Sequence, residues 1–367
     1  MFSNQSLAND PSLLRYTNFC HRSSASGIGK AVQTLEKGTI YLPPQNVRFG
    51  HFACSGATSR HIFDQRYRGN YTSAVKSSLP DYQPQVTVAN QWLNKNNINK
   101  AAVDAIVVSI GGNDAGFSTL IKNCILFYGI CSGDNETRGL RNNAKGIATN
   151  VVADIGSRLA REYINASIYF TAYPDGLANE NKGTCSKNSA SKYRPAFNKY
   201  PDDPNWDIEP IDAKFLQSTQ RLINTGLRDG VVNLNRQLEA SGLPTRFTYI
   251  DDHVRENRYG FCVNVGRRIM LNDEARLVQG SDYTPEVPKS FIDNIESVSR
   301  KIAPGIPPET FDVKVYLSQP FYSTGGWHPN NEGYNAYGVA IHDYLQNKLL
   351  RSRQGLLAPN IKPKWNR

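Results

Sequence analysis

The sequence lacks any long apolar run. The longest, Ala105–Ile110, is far shorter than the roughly 18–20 residues that a membrane-spanning helix needs, so we expect no transmembrane segment. The first residues have neither a basic start nor an apolar core, so they do not predict a signal peptide. No two cysteines follow the Cys-x-x-Cys spacing, which argues against a zinc ribbon. We therefore predict neither a metal nor a cofactor.

Basic residues outnumber acidic ones, but they are spread along the sequence. Lys and Arg number 42 against 32 Asp and Glu, a net charge of +10, and only Arg267-Arg268 and residues 362–367 are locally dense. Nucleic-acid-binding proteins usually gather such charge on one face, so we expect a basic soluble surface and no nucleic-acid partner. Binding to an anionic polymer stays a weaker hypothesis. Ser26–Lys30 resembles a phosphate-binding loop, but Ser24 and Ala31 replace residues that the loop requires.

Short apolar runs alternate with segments of helical periodicity, which is typical of an α/β protein with a parallel sheet. The predicted strands are Val47–Cys54, Val103–Ile110, Ala166–Ala172 and Arg246–Asp251. The predicted helices are Gly139–Ile164, Ala213–Ala240 and a last one that begins near Asn330 or Asn331. One domain over residues 1–350 is the simplest organisation, with excursions at 173–210 and 263–319 and a basic flexible tail at 351–367.

Three short blocks stand where an active site can form, two of them after predicted strands and one in a loop. Gly111-Gly112-Asn113-Asp114 comes directly after a buried strand, and Gly56 follows the segment Val47–Cys54. In open α/β sheets, ligands bind beyond the carboxyl ends of the strands. His328 lies in the third block, just before the last helix. Each block also has an ordinary interpretation as a turn, and a lone histidine is more often structural than catalytic.

Taken in order, these blocks resemble the SGNH, or GDSL-type, serine hydrolases. Ala53–Thr58 is similar to the family's block with the oxyanion glycine, Gly111–Asp114 to the block with the oxyanion asparagine, and His328–Asn330 to the block with the catalytic base. The resemblance is greatest to secreted esterases and lipases of the actinobacterial type and covers roughly residues 18–350. Further matching segments are Cys20–Ser23, Asp251-Asp252 and Gly260–Cys262.

The resemblance implies a three-layer α/β/α sandwich with a flavodoxin-like parallel sheet. It implies a monomeric, exported carboxylic-ester hydrolase that acts on an ester or lipid substrate. His328 would be the base, and Gly56 and Asn113 would donate to the oxyanion. The implied disulfides are Cys20–Cys54, Cys124–Cys131 and Cys185–Cys262.

Two departures from the family pattern concern the catalytic residues. The family's nucleophile stands in a Gly-Asp-Ser block, but this chain has no Asp-Ser dipeptide, so the nucleophile is unassigned. We expect truncation, with the first strand and its serine upstream of Met1; a catalytically inactive binding protein is the alternative, and the genomic sequence upstream would decide. The position that orients the base is Gly325 instead of Asp. A backbone carbonyl near Gly325 is expected to orient His328, with Asp251 or Asp252 as alternatives.

Overall fold

The computed structural model describes residues 20, 26–40, 42–54, 56–67, 82–126, 131–178, 210–251 and 331–354. These residues form an α/β protein in which helices stand before, between and after the strands. Numbered in chain order, the helices are α1 (Gly27–Lys37), α2 (Arg60–Phe63), α3 (Gln85–Lys95), α4 (Phe117–Leu126), α5 (Asn135–Glu162), α6 (Pro210–Ala240) and α7 (Asn331–Gln354).

Three parallel strands form the sheet within the described residues. In spatial order they are β1 (Ala105–Val108), β2 (Ser167–Thr171) and β3 (Phe247–Ile250). The first ladder begins with Ala105 opposite Ser167, and the second with Ile168 opposite Phe247. Each strand lies inside a segment that the apolar runs predicted, so those three predictions are confirmed.

The two long central helices confirm the periodicity, although both begin earlier than predicted. Asp134 caps α5, since its carboxylate accepts the backbone N–H of Thr137 at 2.8 Å. Pro210 occupies the first position of α6, where a missing N–H costs no helical hydrogen bond. The helix starts are therefore set by local capping chemistry rather than by the apolar stripe.

Helices cover both faces of the sheet. Ile168 and Phe170 of β2 belong to the apolar cluster formed with α5 and α6. Tyr169 lies between them in sequence, and it packs instead with apolar residues of α1 and α7. Successive side chains of a strand point to opposite faces, so the sheet is the middle of three layers. Burial of each large apolar side chain contributes about 1.5–3 kcal/mol relative to exposure.

The helices α5 and α6 approach each other closely at glycines. A Cβ on Gly226 would lie 2.3 Å from the carbonyl oxygen of Lys145, and one on Gly230 would lie 2.7 Å from Cβ of Val152. The hydroxyl of Thr149 also donates to the carbonyl oxygen of Gly226 at 3.1 Å. The backbone of α6 therefore rests directly on α5, with no room for a side chain at either glycine.

The helices α1 and α7 form the other covering layer. A Cβ on Gly27 would lie 2.5 Å from Cβ of Tyr337, and one on Gly338 would lie 2.8 Å from Cβ of Lys30. The ammonium group of Lys30 also donates to the side-chain oxygen of Asn335. Glycines thus permit close packing in this layer too.

The prediction of a strand at Val47–Cys54 is wrong, because this segment forms neither strand nor helix. A strand needs a hydrogen-bonded neighbour, and no ladder of the described sheet includes this segment. Gly50 also weakens an extended conformation, and the ring of Phe52 packs against it.

The end of α7 also differs from expectation. It ends at Gln354, inside the segment 351–367 that was predicted to be a tail. The first helix-breaking residue after the apolar stripe is Gly355, so the helix continues beyond the last apolar position.

Two of the implied disulfides are present, Cys20–Cys54 and Cys124–Cys131. Cys185 and Cys262 lie outside the described residues. Both sulfurs of the first bridge are buried, in a small apolar cluster that includes Ala57. The bridge therefore anchors the loop that leads to Gly56.

Within the described ranges, no helix combines the length and apolar character that crossing a bilayer requires. The same residues hold no cluster of three or more His, Cys, Asp or Glu side chains placed to bind a metal ion.

Candidate active site

Polar residues follow all three strands at one edge of the sheet. Asn113 comes after β1, Tyr173 after β2 and Asp251 after β3. Parallel strands place their carboxyl ends at the same edge, where α/β proteins bind ligands. This edge is therefore the candidate active site.

The loop after β1 turns sharply at glycine. Gly111 has a φ of +104°, a conformation that favours glycine over other residues. The N–H of Ala115 donates to the carbonyl of Gly111 at 3.0 Å, which closes the turn before α4 begins. Asn113 is thereby placed on the outside of a tight turn rather than in the helix.

The structure brings Asn113 to the loop that contains Gly56. The side-chain amide of Asn113 donates to the carbonyl oxygen of Ala57 at 3.1 Å, across 56 residues of sequence. The hydroxyl of Ser118 donates to the side-chain oxygen of Asn113 at 3.0 Å, which fixes the orientation of the amide. One of the two amide protons therefore holds the Gly56 loop.

Gly56 itself has a φ of +81°. The next residue closes a turn, since the N–H of Ala57 donates to the carbonyl of Cys54 at 3.1 Å. No described residue accepts a hydrogen bond from the Gly56 N–H. Asn113 contacts the residue that directly follows Gly56.

Asp114 provides a second link between the two loops. Its carboxylate accepts the backbone N–H of Ser59 at 2.9 Å and the hydroxyl of Ser59 at 2.6 Å. Ser59 is the residue that precedes α2. Adjacent residues of the β1 loop therefore hold the segment that follows Gly56 at two points.

Tyr173 contacts the β1 loop at Gly112, the residue before Asn113. Its phenol oxygen accepts the backbone N–H of Gly112 at 3.0 Å. The side chain of Asn224 on α6 fixes the Tyr173 backbone twice, accepting its N–H at 2.8 Å and donating to its carbonyl at 2.7 Å. No sequence signal indicated Tyr173, because its partner Gly112 is 61 residues away.

Asp175 lies behind Tyr173 in a polar cluster. It is only 8% exposed. Its carboxylate accepts hydrogen bonds from Gln217 at 2.9 Å and from Arg221 at 3.1 Å. Burial raises the pKa of Asp175, and the positive charge of Arg221 opposes this rise. The cluster joins the loop after β2 to α6.

The described serines near Asn113 hydrogen-bond to polar partners other than a histidine. Ser59 donates to Asp114, and Ser118 donates to Asn113. No nucleophile is therefore assigned among the described residues. Several predicted residues lie outside the described ranges: His328, Gly325, Asp252 and the last two cysteines.

His61 is the described histidine nearest to this network. Its Nδ1 accepts the backbone N–H of Thr58 at 3.0 Å, so its neutral form carries the proton on Nε2. Burial lowers the pKa of His61, and the negative charge of Asp114 opposes this shift. The folded protein therefore favours neutral His61 more than the unfolded chain does.

This preference predicts a pH-dependent stability. Because the unfolded chain binds the proton more readily, the contribution of neutral His61 is present above the unfolded pKa of about 6.5 and is lost on acidification below it. Between pH 7.5 and pH 5, we expect the wild type to lose more stability than His61→Gln, which does not titrate. Urea unfolding at each pH measures the difference; parallel curves for the two proteins would contradict the prediction.

Two solved structures superpose on most of the chain. The extracellular lipase from Streptomyces rimosus covers 89% of this chain and 89% of its own, with 14% identity and a TM-score of 0.45. Phospholipase A1 from Streptomyces albidoflavus NA297 covers 90% of this chain and 89% of its own, with 14% identity and a TM-score of 0.45. No protein-family model and no curated protein matches the sequence. Similarity at this level does not establish a family.

Proposed function

We propose that the protein is a carboxylic-ester hydrolase of the SGNH type. The observation that carries the proposal is the contact between the Asn113 amide and the Gly56 loop, 3.1 Å from the side-chain nitrogen to the carbonyl oxygen of Ala57. The resemblance assigns Gly56 and Asn113 to one oxyanion hole, and the contact between their loops at the carboxyl edge of a parallel sheet supports this assignment.

In the proposed reaction a serine attacks the carbonyl carbon of an ester. The oxygen of that carbonyl gains negative charge in the tetrahedral intermediate, and the N–H of Gly56 and the amide of Asn113 donate to it. Donors fixed in advance stabilise such charge because they need no reorganisation during the reaction. His328 takes the serine proton and returns it to the leaving alcohol.

Export of the enzyme is part of the proposal. Disulfides persist in oxidising compartments and are rare in reducing ones. The bridges Cys20–Cys54 and Cys124–Cys131 therefore support a secreted enzyme. Its substrate would be an ester or a lipid that it meets outside the cell.

The proposal is tested on the full-length product of the gene with p-nitrophenyl butyrate and decanoate. A serine-directed fluorophosphonate should abolish turnover while it labels one serine, which mass spectrometry of the adduct would identify. His328→Ala should remove most of the turnover, because a general base contributes about 10²–10⁴-fold. His342→Gln, a buried histidine on α7, serves as the matched control and should keep the rate per folded molecule.

The alternative is a binding protein that retains the fold but not the reaction. The absence of an Asp-Ser dipeptide in this sequence favours it. A protein that unfolds cooperatively, yet neither reacts with the phosphonate nor hydrolyses either ester, would establish the alternative and refute the hydrolase.

A further inference from the structure

Tyr173 contacts the backbone of the candidate oxyanion loop directly. Besides the hydrogen bond from the Gly112 N–H at 3.0 Å, its ring lies so close to Gly112 that a Cβ there would be 2.9 Å from Cζ. Contacts under about 3 Å are closer than carbon atoms normally approach, so glycine at this position and the tyrosine ring depend on each other. Residue 112 immediately precedes Asn113.

The hydroxyl of Tyr173 stays protonated under ordinary conditions. Burial raises its pKa to about 12, and the Ser109 side chain is a further hydrogen-bond partner. A neutral phenol can accept the Gly112 N–H without placing a negative charge beside an oxyanion site. The interaction is therefore compatible with negative charge developing nearby.

The position of Tyr173 is itself fixed by α6. In addition to the two hydrogen bonds with Asn224, the carbonyl of Tyr173 accepts the side-chain amide of Gln220 at 3.2 Å. The ring is thus held by a rigid element of the scaffold, a condition for precise placement of a site.

We propose that Tyr173 is a positioning residue, which sets the position of the turn that carries Asn113 by holding the Gly112 N–H. This inference rests on the proposed ester hydrolysis. Asn113 touches the reacting oxygen, and Tyr173 acts only through the turn that carries it. Small displacements of a catalytic group lower the rate strongly.

Tyr173→Phe is the direct test, because it removes the hydroxyl and keeps the ring. We expect kcat for p-nitrophenyl butyrate to fall about tenfold with KM unchanged, as for an interaction that serves only the transition state. A double-mutant cycle with Asn113→Ala distinguishes an effect of Tyr173 that acts through Asn113 from a general loss of structure. If Tyr173 acts through Asn113, adding Tyr173→Phe to Asn113→Ala lowers kcat no further.

The matched control is Tyr163→Phe. Tyr163 is also buried, its pKa is also raised to about 12 by burial, and its hydroxyl donates to Asn90 at 3.0 Å. It precedes β2 and so lies at the opposite, amino-terminal edge of the sheet. We expect a comparable loss of stability and an unchanged kcat.

Amide hydrogen exchange gives a readout that does not need activity. The Gly112 N–H should exchange faster in Tyr173→Phe and not in Tyr163→Phe. Faster exchange with no turnover in the wild type would refute the hydrolase but not the structural contact. Unchanged Gly112 exchange, an unchanged kcat, or full additivity with Asn113→Ala in an active enzyme would overturn the positioning role.

Discussion

Replacing Asn113 with alanine is expected to lower kcat for ester hydrolysis by about 10²–10³-fold with little change in KM. The side-chain amide reaches the Gly56 loop, and the Ser118 hydroxyl fixes its orientation. In the proposed reaction this amide is an oxyanion donor. Loss of a fixed oxyanion donor affects the transition state far more than the ground state, since the ester carbonyl carries little charge before attack. Steady-state kinetics on the full-length protein measure the change.

Asn165 supplies the control for this experiment. Its amide also donates to a backbone carbonyl, that of Ala101 at 2.9 Å, but it lies at the amino-terminal side of β2. Asn165→Ala should therefore cost a similar, small amount of stability and leave kcat unchanged. Equal kinetic effects of the two substitutions would show that Asn113 contributes to folding alone.

Replacing Gly226 with alanine is expected to lower the free energy of unfolding by about 3 kcal/mol. The new methyl group would lie 2.3 Å from the Lys145 carbonyl oxygen and 2.9 Å from Cβ of Ala148. The first of these is backbone, so it cannot rotate away, and α5 and α6 must separate. Urea unfolding followed by circular dichroism measures the loss.

Gly146→Ala is the matched control, because Gly146 is also inside a long helix but has open space around its Cβ position. Alanine favours a helix over glycine by about 0.5–1 kcal/mol, so this variant should be more stable than the wild type. Gly230→Ala should also destabilise the protein but by less than Gly226→Ala, since its closest contacts are 2.7 Å to Cβ of Val152 and 3.0 Å to the carbonyl oxygen of Thr149. Similar stabilities for all three variants would sink the idea that backbone contact at Gly226 sets the helix spacing.

The parts of the fold that the sequence predicted are those with a strong local signal. The strand β2 is buried along nearly its whole length, as inner parallel strands are, and the partly buried strands β1 and β3 flank it. The helices α5 and α6 are long enough for their apolar stripe to repeat many times. In these elements local preference and tertiary packing agree.

Shorter elements escaped prediction because their determinants are distant. Helix α1 begins with Gly27 and contains Gly29, residues that locally disfavour a helix. Gly27 is there because Tyr337 packs against it from the far part of the chain. A single sequence gives no sign of that contact.

The residues of the candidate site divide in the same way, into those that the sequence could predict and those that it could not. Asn113 and Gly56 could be proposed because they stand in short recognisable blocks beside strands. Tyr173 and Asn224 could not, since neither belongs to such a block and their hydrogen bonds join segments 51 residues or more apart. Residues that support a site are determined by how distant segments meet in three dimensions. Such a requirement produces no short sequence pattern.

The layer formed by α1 and α7 has a consequence for the order of events during synthesis. Its partners Lys30 and Asn335 are 305 residues apart. At about 5–20 residues per second, a ribosome would add the second partner roughly 15–60 s after the first. Until α7 has been synthesised, one apolar face of the sheet, which includes Tyr169 and Ile250, remains uncovered. This face is therefore where we expect chaperones to bind the nascent chain, and the α1–α7 layer should be the last to close.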